Sequence, residues 1–358
     1  MAKKLMKGNE ALAEACLRAG CRFFSGYPIT PQTEILEYLC WRMDEVGGKC
    51  VQTESELAGV NMLFGAAAAG ARALTTTSGP GFSLKQEGIS YLCASDVPAV
   101  IVDVMRIGCG LGDIFMGQGD YWQLTRGGGH GDYRTIVLAP CSVQESVDIA
   151  YGAFDLAEKY RHPVIIATDA TIGQMMEPVE LPEMIEHDIN KYDWAIKPRL
   201  EGEEQRAIWN RYWDWDWKDP SVGGHMYPEY VLKKYGEMEE TEQRWESVQT
   251  EDAEIIIVAY GTSARVAKGA VARARAEGIK LGLIRPITLW PFPKKAFEEL
   301  GDQVKAFLDV ERNILGQMKD DVILADGNKH PVEFYGDYWD NSNEITIVEK
   351  VKEMLARY

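Results

Sequence analysis

Short, uninterrupted apolar segments alternate with helix-like segments through the first half of the chain, and this alternation constrains the fold more than any other feature. Residues 98–104 and 164–168 are mostly apolar segments of this kind, residues 73–77 are predicted to form a further strand, and stretches with helical periodicity separate them. A strand that is apolar on both faces must be covered on both, which is typical of a parallel sheet with helices on each side. The sequence therefore predicts an α/β fold built on a parallel sheet.

The same pattern indicates three parts along the chain. Alternating strands and helices continue to about residue 180, and a second α/β unit begins with the apolar segment 255–259. We therefore expect a first domain at 1–180, an aromatic-rich arm at 181–250 and a smaller domain at 251–358. Within the first domain, Pro31 at a first helical position and Gly47-Gly48 at the end predict a helix over 31–46.

The arm is unusually rich in tryptophan. Tryptophan is concentrated between Trp194 and Trp245, and it alternates with aspartate over 213–217. Disordered segments lack aromatic residues, so this is not a solvated linker. Because tryptophan is enriched among interface anchors, the arm is predicted to pack on another surface such as a partner subunit. Packing on its own domain is an equally good interpretation.

Composition excludes several classes of protein. With 358 residues and 46% hydrophobic content the chain can bury a large core. No apolar run approaches the ~20 residues that cross a bilayer, and no signal-peptide core follows the N-terminal lysines, so we expect a cytoplasmic protein that does not contact the membrane. The net charge of −17 argues against nucleic-acid binding, which needs clustered lysine and arginine.

The cysteines give no sign of a metal centre. All seven lie in the first 141 residues and none forms a Cys-x-x-Cys pair. Iron–sulfur clusters and structural zinc usually need closely spaced thiolates. An odd count in a chain of this kind also argues against a disulfide framework. We therefore expect ordinary thiols here, and any metal centre for electron transfer on another chain.

Two glycine-rich stretches resemble nucleotide-binding motifs but fail on inspection. Gly108, Gly110 and Gly112 follow a predicted strand, yet Asp113 stands where the dinucleotide motif needs its third glycine. The stretch 65–70 has the glycine spacing of a P-loop but lacks the Lys-Ser/Thr that follows. Neither NAD nor ATP binding is predicted.

Three polar sites follow predicted strands, where open α/β sheets bind ligands. Thr30 precedes the predicted helix 31–46, so it can be the N-cap of that helix or a ligand contact. Glu54 and Glu56 lie at a helix start, where a carboxylate either complements the helix dipole or faces a cofactor. Arg106 follows an apolar strand and can be a surface cation or a bidentate anchor for a carboxylate.

Together with other motifs, these sites resemble the alpha-type subunits of 2-oxoacid:ferredoxin oxidoreductases. The resemblance covers nearly the whole chain and is weakest in the arm. The residues that carry it are Gly-Tyr-Pro-Ile-Thr-Pro at 26–31, Thr-Ser-Gly-Pro-Gly at 77–81, Arg106, Gln-Gly-Asp at 118–120, Gly-His-Gly-Asp at 129–132 and Leu-Trp-Pro-Phe-Pro at 289–293.

The resemblance implies a fold and a site. The first domain would be a pyrimidine-type thiamine-diphosphate domain, and the last would resemble the transketolase C-terminal domain. Glu56, with Glu54 as the fallback, would bind the aminopyrimidine ring, where a carboxylate favours the imino tautomer that activates the thiazolium carbon. Ser78 and Gly79 would also bind the cofactor, while Thr30 and Arg106 would hold the substrate carboxylate.

The resemblance also implies partner chains. Thiamine enzymes usually hold the diphosphate and Mg²⁺ through a Gly-Asp-Gly motif, which this sequence lacks. A beta-type thiamine-diphosphate subunit would supply that half, and gamma- and ferredoxin-like delta-type subunits would carry the iron–sulfur clusters. The complex would oxidise 2-oxo acids with CoA to acyl-CoA and CO₂ and reduce ferredoxin.

Within the family the pattern is most like the 2-oxoisovalerate (branched-chain) type. The segments that resemble this type are 127–132, 175–178, 285–293, 316–318 and 331–336. The chain departs from it after Arg106, where Ile107-Gly108-Cys109-Gly110 replaces a Gly-Gly-Pro-Gly run. We therefore expect Ile107 and Cys109 to shape the substrate side-chain pocket, since one methylene changes discrimination by ~1–3 kcal/mol. Aryl 2-oxo acids, a non-redox thiamine carboligase or decarboxylase, and a non-catalytic assembly subunit remain alternatives.

Overall fold

The computed structural model describes residues 3–197, 227–336 and 343–358, with the side chain of Tyr227 left out. Up to residue 179 the elements are β1 (Lys4–Lys7), α1 (Gly8–Arg18), β2 (Phe23–Gly26), α2 (Thr33–Arg42), a 3-10 turn (Asp44–Val46), β3 (Lys49–Gln52), α3 (Glu56–Ala68), β4 (Ala73–Thr77), α4 (Pro80–Ala94), β5 (Ala99–Met105), α5 (Tyr121–Thr125), β6 (Ile136–Leu138), α6 (Val143–Tyr160), β7 (Pro163–Asp169), α7 (Ala170–Gln174) and β8 (Met176–Val179). After residue 226 they are α8 (Tyr227–Thr241), β9 (Trp245–Val248), β10 (Ile255–Val258), α9 (Gly261–Ala276), β11 (Leu281–Pro286), β12 (Thr288–Trp290), α10 (Lys295–Glu298), β13 (Ala306–Glu311), α11 (Lys319–Asp326), β14 (Val332–Gly336) and α12 (Glu344–Leu355).

Two large sheets organise the chain, as the strand–helix alternation predicts. The first has seven strands in the order β12-β6-β7-β5-β4-β2-β3, and all neighbours are parallel except β12 and β6. The second has five strands in the order β14-β13-β10-β11-β9, and only β9 runs antiparallel to its neighbour. The fold class is therefore mixed α/β with mostly parallel sheets, which confirms the prediction.

The central strands are buried along their whole length. Every residue of β5 and of β7 is buried, and the two strands pair along their full seven-residue lengths. In contrast, β1 and β8 form a separate two-stranded antiparallel sheet. None of the helices in the three described ranges is long and apolar enough to cross a membrane.

The helix predicted over 31–46 begins two residues later than expected, and Thr30 is not its N-cap. Helix α2 starts at Thr33, and the residue before it, Gln32, makes no capping bond with its side chain. The backbone N–H of Gln32 donates to Ile29 O at 3.0 Å, so residues 29–32 form a turn instead of a first helical turn. The helix also ends early, at Arg42, because a 3-10 turn follows.

One prediction about the cysteines is wrong. Cys40 at the end of α2 and Cys50 in β3 form a disulfide, with a Cα–Cα distance of 5.0 Å. The turn at Gly47-Gly48 reverses the chain and brings two cysteines ten residues apart side by side. Of the five free cysteines, only Cys109 is exposed.

The described flanks of the tryptophan-rich arm pack on this chain itself. Trp194 lies under the Arg161 guanidinium at 4.9 Å, and Ala195 is fully buried. On the other flank, Lys234 of α8 forms a buried ion pair with Asp96 at 2.8 Å. These contacts favour the second interpretation, packing on its own domain, for the flanks. The Trp-Asp repeat at 213–217 lies outside the described residues.

Candidate functional site

The predicted site residues follow the carboxyl ends of four neighbouring strands of the first sheet, β5, β4, β2 and β3. Gly79, Arg106, Ile107 and Cys109 line one cavity, whereas Thr30, Glu54, Glu56 and Ser78 lie outside its wall. This cavity, of about 570 Å³, opens between the two sheets. Four stretches line it: the start of α4, the loop after β5, helix α5 and the loop after β13. The residues are Gly79, Pro80, Ser83, Arg106, Ile107, Gly108, Cys109, Gly110, Leu111, Gly119, Asp120, Gln123, Arg312, Asn313, Ile314, Leu315 and Gln317.

Arg106 is the buried cation of this cavity. It directly follows β5 and is only 5% exposed. Its Nη1 donates to Thr30 O at 2.9 Å, and its Nη2 donates to Leu111 O. Its Nε has no hydrogen-bond partner among the residues that the structure describes. A guanidinium carries five N–H groups, so donors remain for an anion after both loops are bound.

Thr30 contributes to the site through its backbone. The carbonyl of Thr30 accepts the bond from Arg106, whereas the residue itself is exposed and is not part of the cavity wall. The structure thus brings Thr30 and Arg106 together, as predicted, but with the Thr30 carbonyl occupied by the arginine. Its hydroxyl remains on the surface of the loop.

Glu56 and Glu54 lie in different environments. Glu56 is the first residue of α3 and is 5% exposed, and Ser55 caps the helix by accepting from Ala58 N at 3.3 Å. Glu54 is exposed to solvent. The Glu56 carboxylate points at Gly81: a Cβ there would lie 2.5 Å from Glu56 Oε1 and would clash with Thr77 Oγ1. The start of α4 therefore leaves room for these two side chains only because residue 81 is glycine.

The turn between β4 and α4 carries further polar atoms without partners. Ser78 is fully buried, and neither its Oγ nor Thr77 Oγ1 has a hydrogen-bond partner within the described ranges. Gly79 is the N-cap of α4, and its carbonyl accepts from Gln123 Nε2 at 3.2 Å. Buried polar atoms without partners are uncommon in folded proteins, and they mark a place where a polar ligand can bind.

Ile107 and Cys109 both line the cavity, as the departure from the family pattern predicts. Ile107 is 3% exposed and packs against Gly117, while Cys109 is exposed. Packing thus holds the Ile107 side chain in one place, and Cys109 presents an exposed thiol in the cavity wall. The side chains at these two positions define part of its shape.

Two acidic residues at the site were not predicted. Asp103 lies inside β5 and Asp120 in the cavity wall, and both are buried. Burial and the neighbouring Asp120 raise the pKa of Asp103 well above its usual range, and burial raises the pKa of Asp120 to about 6. Both oxygens of Asp103 and Oδ2 of Asp120 lack a donor in the described part of the chain, so a proton on one carboxyl can satisfy the other. The charged residue within an otherwise apolar strand was the signal for Asp103.

The second sheet closes the cavity from the opposite side. Gln118 accepts from Arg312 N at 2.9 Å and from Ser263 Oγ at 2.7 Å, and it donates to Tyr260 O at 2.9 Å. These bonds join the loop after β5 to the carboxyl ends of β10 and β13. The cavity can therefore bind an anion beside Arg106, and the Glu56 carboxylate lies near it, against Gly81.

Two family models together match most of the chain. Residues 14–253 match the family model described as pyruvate flavodoxin/ferredoxin oxidoreductase, thiamine-diphosphate binding. Residues 253–348 match core domain II of pyruvate:ferredoxin oxidoreductase.

Full-length relatives support this assignment. The chain is 47% identical over 358 residues to the ketoisovalerate oxidoreductase subunit VorB of Methanothermobacter thermautotrophicus, covering 99% of each chain. It is 38% identical over 336 residues to the 2-oxoglutarate synthase subunit KorA of Methanocaldococcus jannaschii, covering 89% of this chain and 90% of that one.

Solved structures show the same fold. The 2-oxoglutarate:ferredoxin oxidoreductase from Magnetococcus marinus, with 2-oxoglutarate, coenzyme A and succinyl-CoA bound, matches with a TM-score of 0.86 at 26% identity over 98% of this chain. The chain spans 65% of that longer protein. A split-gene transketolase, an inactive β4 tetramer, matches at 13% identity with a TM-score of 0.60 and shows likeness of fold only. The predicted resemblance is confirmed: the chain belongs to the thiamine-diphosphate-binding pyruvate flavodoxin/ferredoxin oxidoreductase family, as an alpha-type 2-oxoacid:ferredoxin oxidoreductase subunit of the branched-chain type.

Proposed function

We propose that this chain is the alpha-type subunit of a complex that oxidatively decarboxylates branched-chain 2-oxo acids such as 2-oxoisovalerate with CoA. The products are the acyl-CoA and CO₂, and ferredoxin takes the electrons in the cytoplasm. The observation that carries the proposal is the 47–48% identity to ketoisovalerate oxidoreductase subunits along 99% of the chain. The cavity with a buried arginine supports it, because every 2-oxo acid brings a carboxylate.

In this proposal residues 1–180 act as the pyrimidine-type domain and 251–358 as the transketolase C-terminal-like domain, with the arm 181–250 between them. Two strands cross this division. β9 lies before residue 251 but pairs with β11, and β12 lies after it but pairs with β6. The division thus describes sequence segments that exchange strands.

The residues at Gly81 fit thiamine diphosphate. The buried Glu56 carboxylate and the unpartnered hydroxyls of Thr77 and Ser78 form a polar lining at the end of β4, matched to the donors and acceptors of an aminopyrimidine. Gly79 lies in the same turn. When bound, the cofactor supplies a carbon nucleophile for the substrate ketone and accepts the electrons left by loss of CO₂. Glu56 holds a ring nitrogen, and Arg106 orients the substrate carboxylate beside Thr30.

A partner chain completes the site. Helix α3 is apolar around most of its circumference, and Leu57 and Met62 are each 43% exposed on it. Leu84 and Tyr91 on the adjacent α4 are 53% and 51% exposed. A helix that is apolar all round is normally buried, so a second chain is expected to cover this surface. We assign it to a beta-type thiamine-diphosphate subunit that holds the diphosphate and Mg²⁺, with gamma- and ferredoxin-like delta-type subunits carrying the iron–sulfur clusters.

The test is to purify the native complex through a tag on this chain, count its subunits, thiamine and iron, and measure CoA-dependent reduction of ferredoxin. We expect the highest kcat/KM with 2-oxoisovalerate among branched, straight-chain, aryl and 2-oxoglutarate substrates. A higher value for an aryl acid would keep the reaction and change the substrate class. Turnover without CoA or without an electron acceptor would favour the carboligase or decarboxylase alternative.

A further inference from the structure

Lys85 of α4 is fully buried close to Glu56 of the proposed cofactor site. It forms no ion pair with any residue in the described ranges. An unpaired ammonium in the interior is strongly unfavourable, so this lysine needs a specific physical account.

Two hydrogen bonds define its environment. Lys85 Nζ donates to Thr75 Oγ1 at 3.0 Å and to the backbone carbonyl of Glu56 at 3.3 Å. The only hydrogen of the Thr75 hydroxyl goes to Ser25 O at 2.5 Å, so Thr75 must accept from the lysine. A neutral amine has two N–H donors, and both have acceptors here; the third donor of an ammonium would have none.

The charges around Lys85 agree with this donor count. Burial lowers the pKa of Lys85 to about 7, and the Glu56 charge opposes that shift. Of the elements packed against the amine, α3 contributes Glu56, whereas β2 and β4 contribute the uncharged Ser25 and Thr75. Within the described ranges, Glu56 is thus the one charged group that acts on the amine.

The amine reaches the first turn of α3 because residue 59 has no side chain. A Cβ at Gly59 would lie 3.2 Å from Lys85 Nζ and 3.3 Å from Thr53 Oγ1. The lysine therefore holds the backbone of Glu56 from one side, while the carboxylate of Glu56 occupies the space at Gly81 on another.

We propose that Lys85 is a positioning residue for Glu56: as a neutral amine it ties the first turn of α3 to β4 and, through Thr75, to β2, and so fixes the place of the Glu56 carboxylate. The inference rests on the proposed function, in which that carboxylate binds the aminopyrimidine ring. It assigns Lys85 no contact with substrate or cofactor.

The test is a double-mutant cycle on cofactor binding. The dissociation constant of thiamine diphosphate is measured by titration calorimetry on the assembled complex stripped of cofactor, for wild type, Lys85→Met, Glu56→Gln and the double variant. Each single change is expected to raise the constant about tenfold, the effect of one hydrogen bond. The double variant should bind no more weakly than the weaker single variant, because both changes remove the same interaction.

A pH series separates positioning from packing. Binding by the wild type should weaken as pH falls through about 7, since protonation gives Lys85 a donor without an acceptor. Lys85→Met should show no such change. The control is Lys234→Met, which removes another buried lysine, ion-paired with Asp96 at 2.8 Å, and should bind the cofactor like wild type. If Lys85→Met does not fold, Thr75→Val removes one acceptor of the same amine and should weaken binding in the same direction.

The results for Glu56→Gln and Lys85→Met separate the role of Glu56 from that of Lys85. If Glu56→Gln binds thiamine diphosphate like wild type, Glu56 does not bind the cofactor, and the positioning role of Lys85 is wrong as well. If Glu56→Gln weakens binding while Lys85→Met does not, or if the two effects add, the positioning role alone is overturned.

Discussion

Replacing Arg106 with lysine keeps the positive charge of the cavity and removes its planar set of donors. In the structure two donors of Arg106 already bind the Thr30 and Leu111 carbonyls, and Nε is buried without a partner. A lysine has three donors on one atom and cannot hold both loops and a carboxylate at these separated positions. The variant should therefore lose at least one charge-assisted hydrogen bond to the substrate, worth ~1.5–3 kcal/mol.

That loss corresponds to a decrease in kcat/KM of about 10- to 150-fold. It should be similar for branched, straight-chain and aryl 2-oxo acids, because all share the carboxylate. The assay is CoA-dependent acceptor reduction by the assembled complex with each acid. Arg126→Lys is the matched control, since Arg126 forms an ion pair with Asp321 at 2.9 Å and does not line the cavity. Changes at Ile107 or Cys109 should instead reorder the substrates. An Arg106→Lys enzyme that reordered them while its best substrate was unaffected would refute the carboxylate-anchor role.

Three further outcomes are expected. Glu56→Gln should preserve assembly and lower turnover by at least ~10²-fold, measured on the purified complex; near-normal turnover would move the role to Glu54 or reject the cofactor assignment. The isolated chain should bind no iron and bind thiamine diphosphate weakly, and stoichiometric iron–sulfur absorption in the single subunit would contradict this. Lys85→Met should unfold at higher denaturant than wild type at pH 7, because burial lowers the pKa of Lys85 from 10.5 to about 7 and folding loses about 5 kcal/mol as pH falls between those values. Loss of the two hydrogen bonds of Lys85 should reduce this gain in stability by ~1 kcal/mol each. The gain of the variant over wild type should shrink toward pH 10, and a gain that does not depend on pH would show that the amine is not responsible.

The main strands were predictable because burial on two faces leaves a local signature. β5 and β7 are mostly apolar segments in the sequence, and both are fully buried strands in the structure. In contrast, β12 is three residues long and pairs with a strand 150 positions earlier, and no local pattern reports that contact. The helix at 31–46 was mispredicted at its start because the Ile29–Gln32 turn competes with a helical first turn.

The candidate site likewise has features that the local sequence indicates and contacts that it does not. Arg106 and Glu56 could be proposed because one follows a strand and the other begins a helix, and the family resemblance supplied the roles that position alone left open. The contact of Asp103 with Asp120, and that of Lys85 with Thr75, depend on how separate elements pack. The Cys40–Cys50 disulfide was missed since the count of cysteines says nothing about which two lie side by side.

The exchange of β9 and β12 between the two sheets has a consequence for how the molecule can be divided. A fragment that ends at residue 253, where the two family models meet, would keep β9 without its partner β11 and would expose the edge of β6 that β12 covers. It would also lack Arg312, Ser263 and Tyr260, to which Gln118 is bonded. We therefore expect a fragment cut at this point to be less stable than the same residues in the whole chain, because each part leaves a sheet edge of the other uncovered.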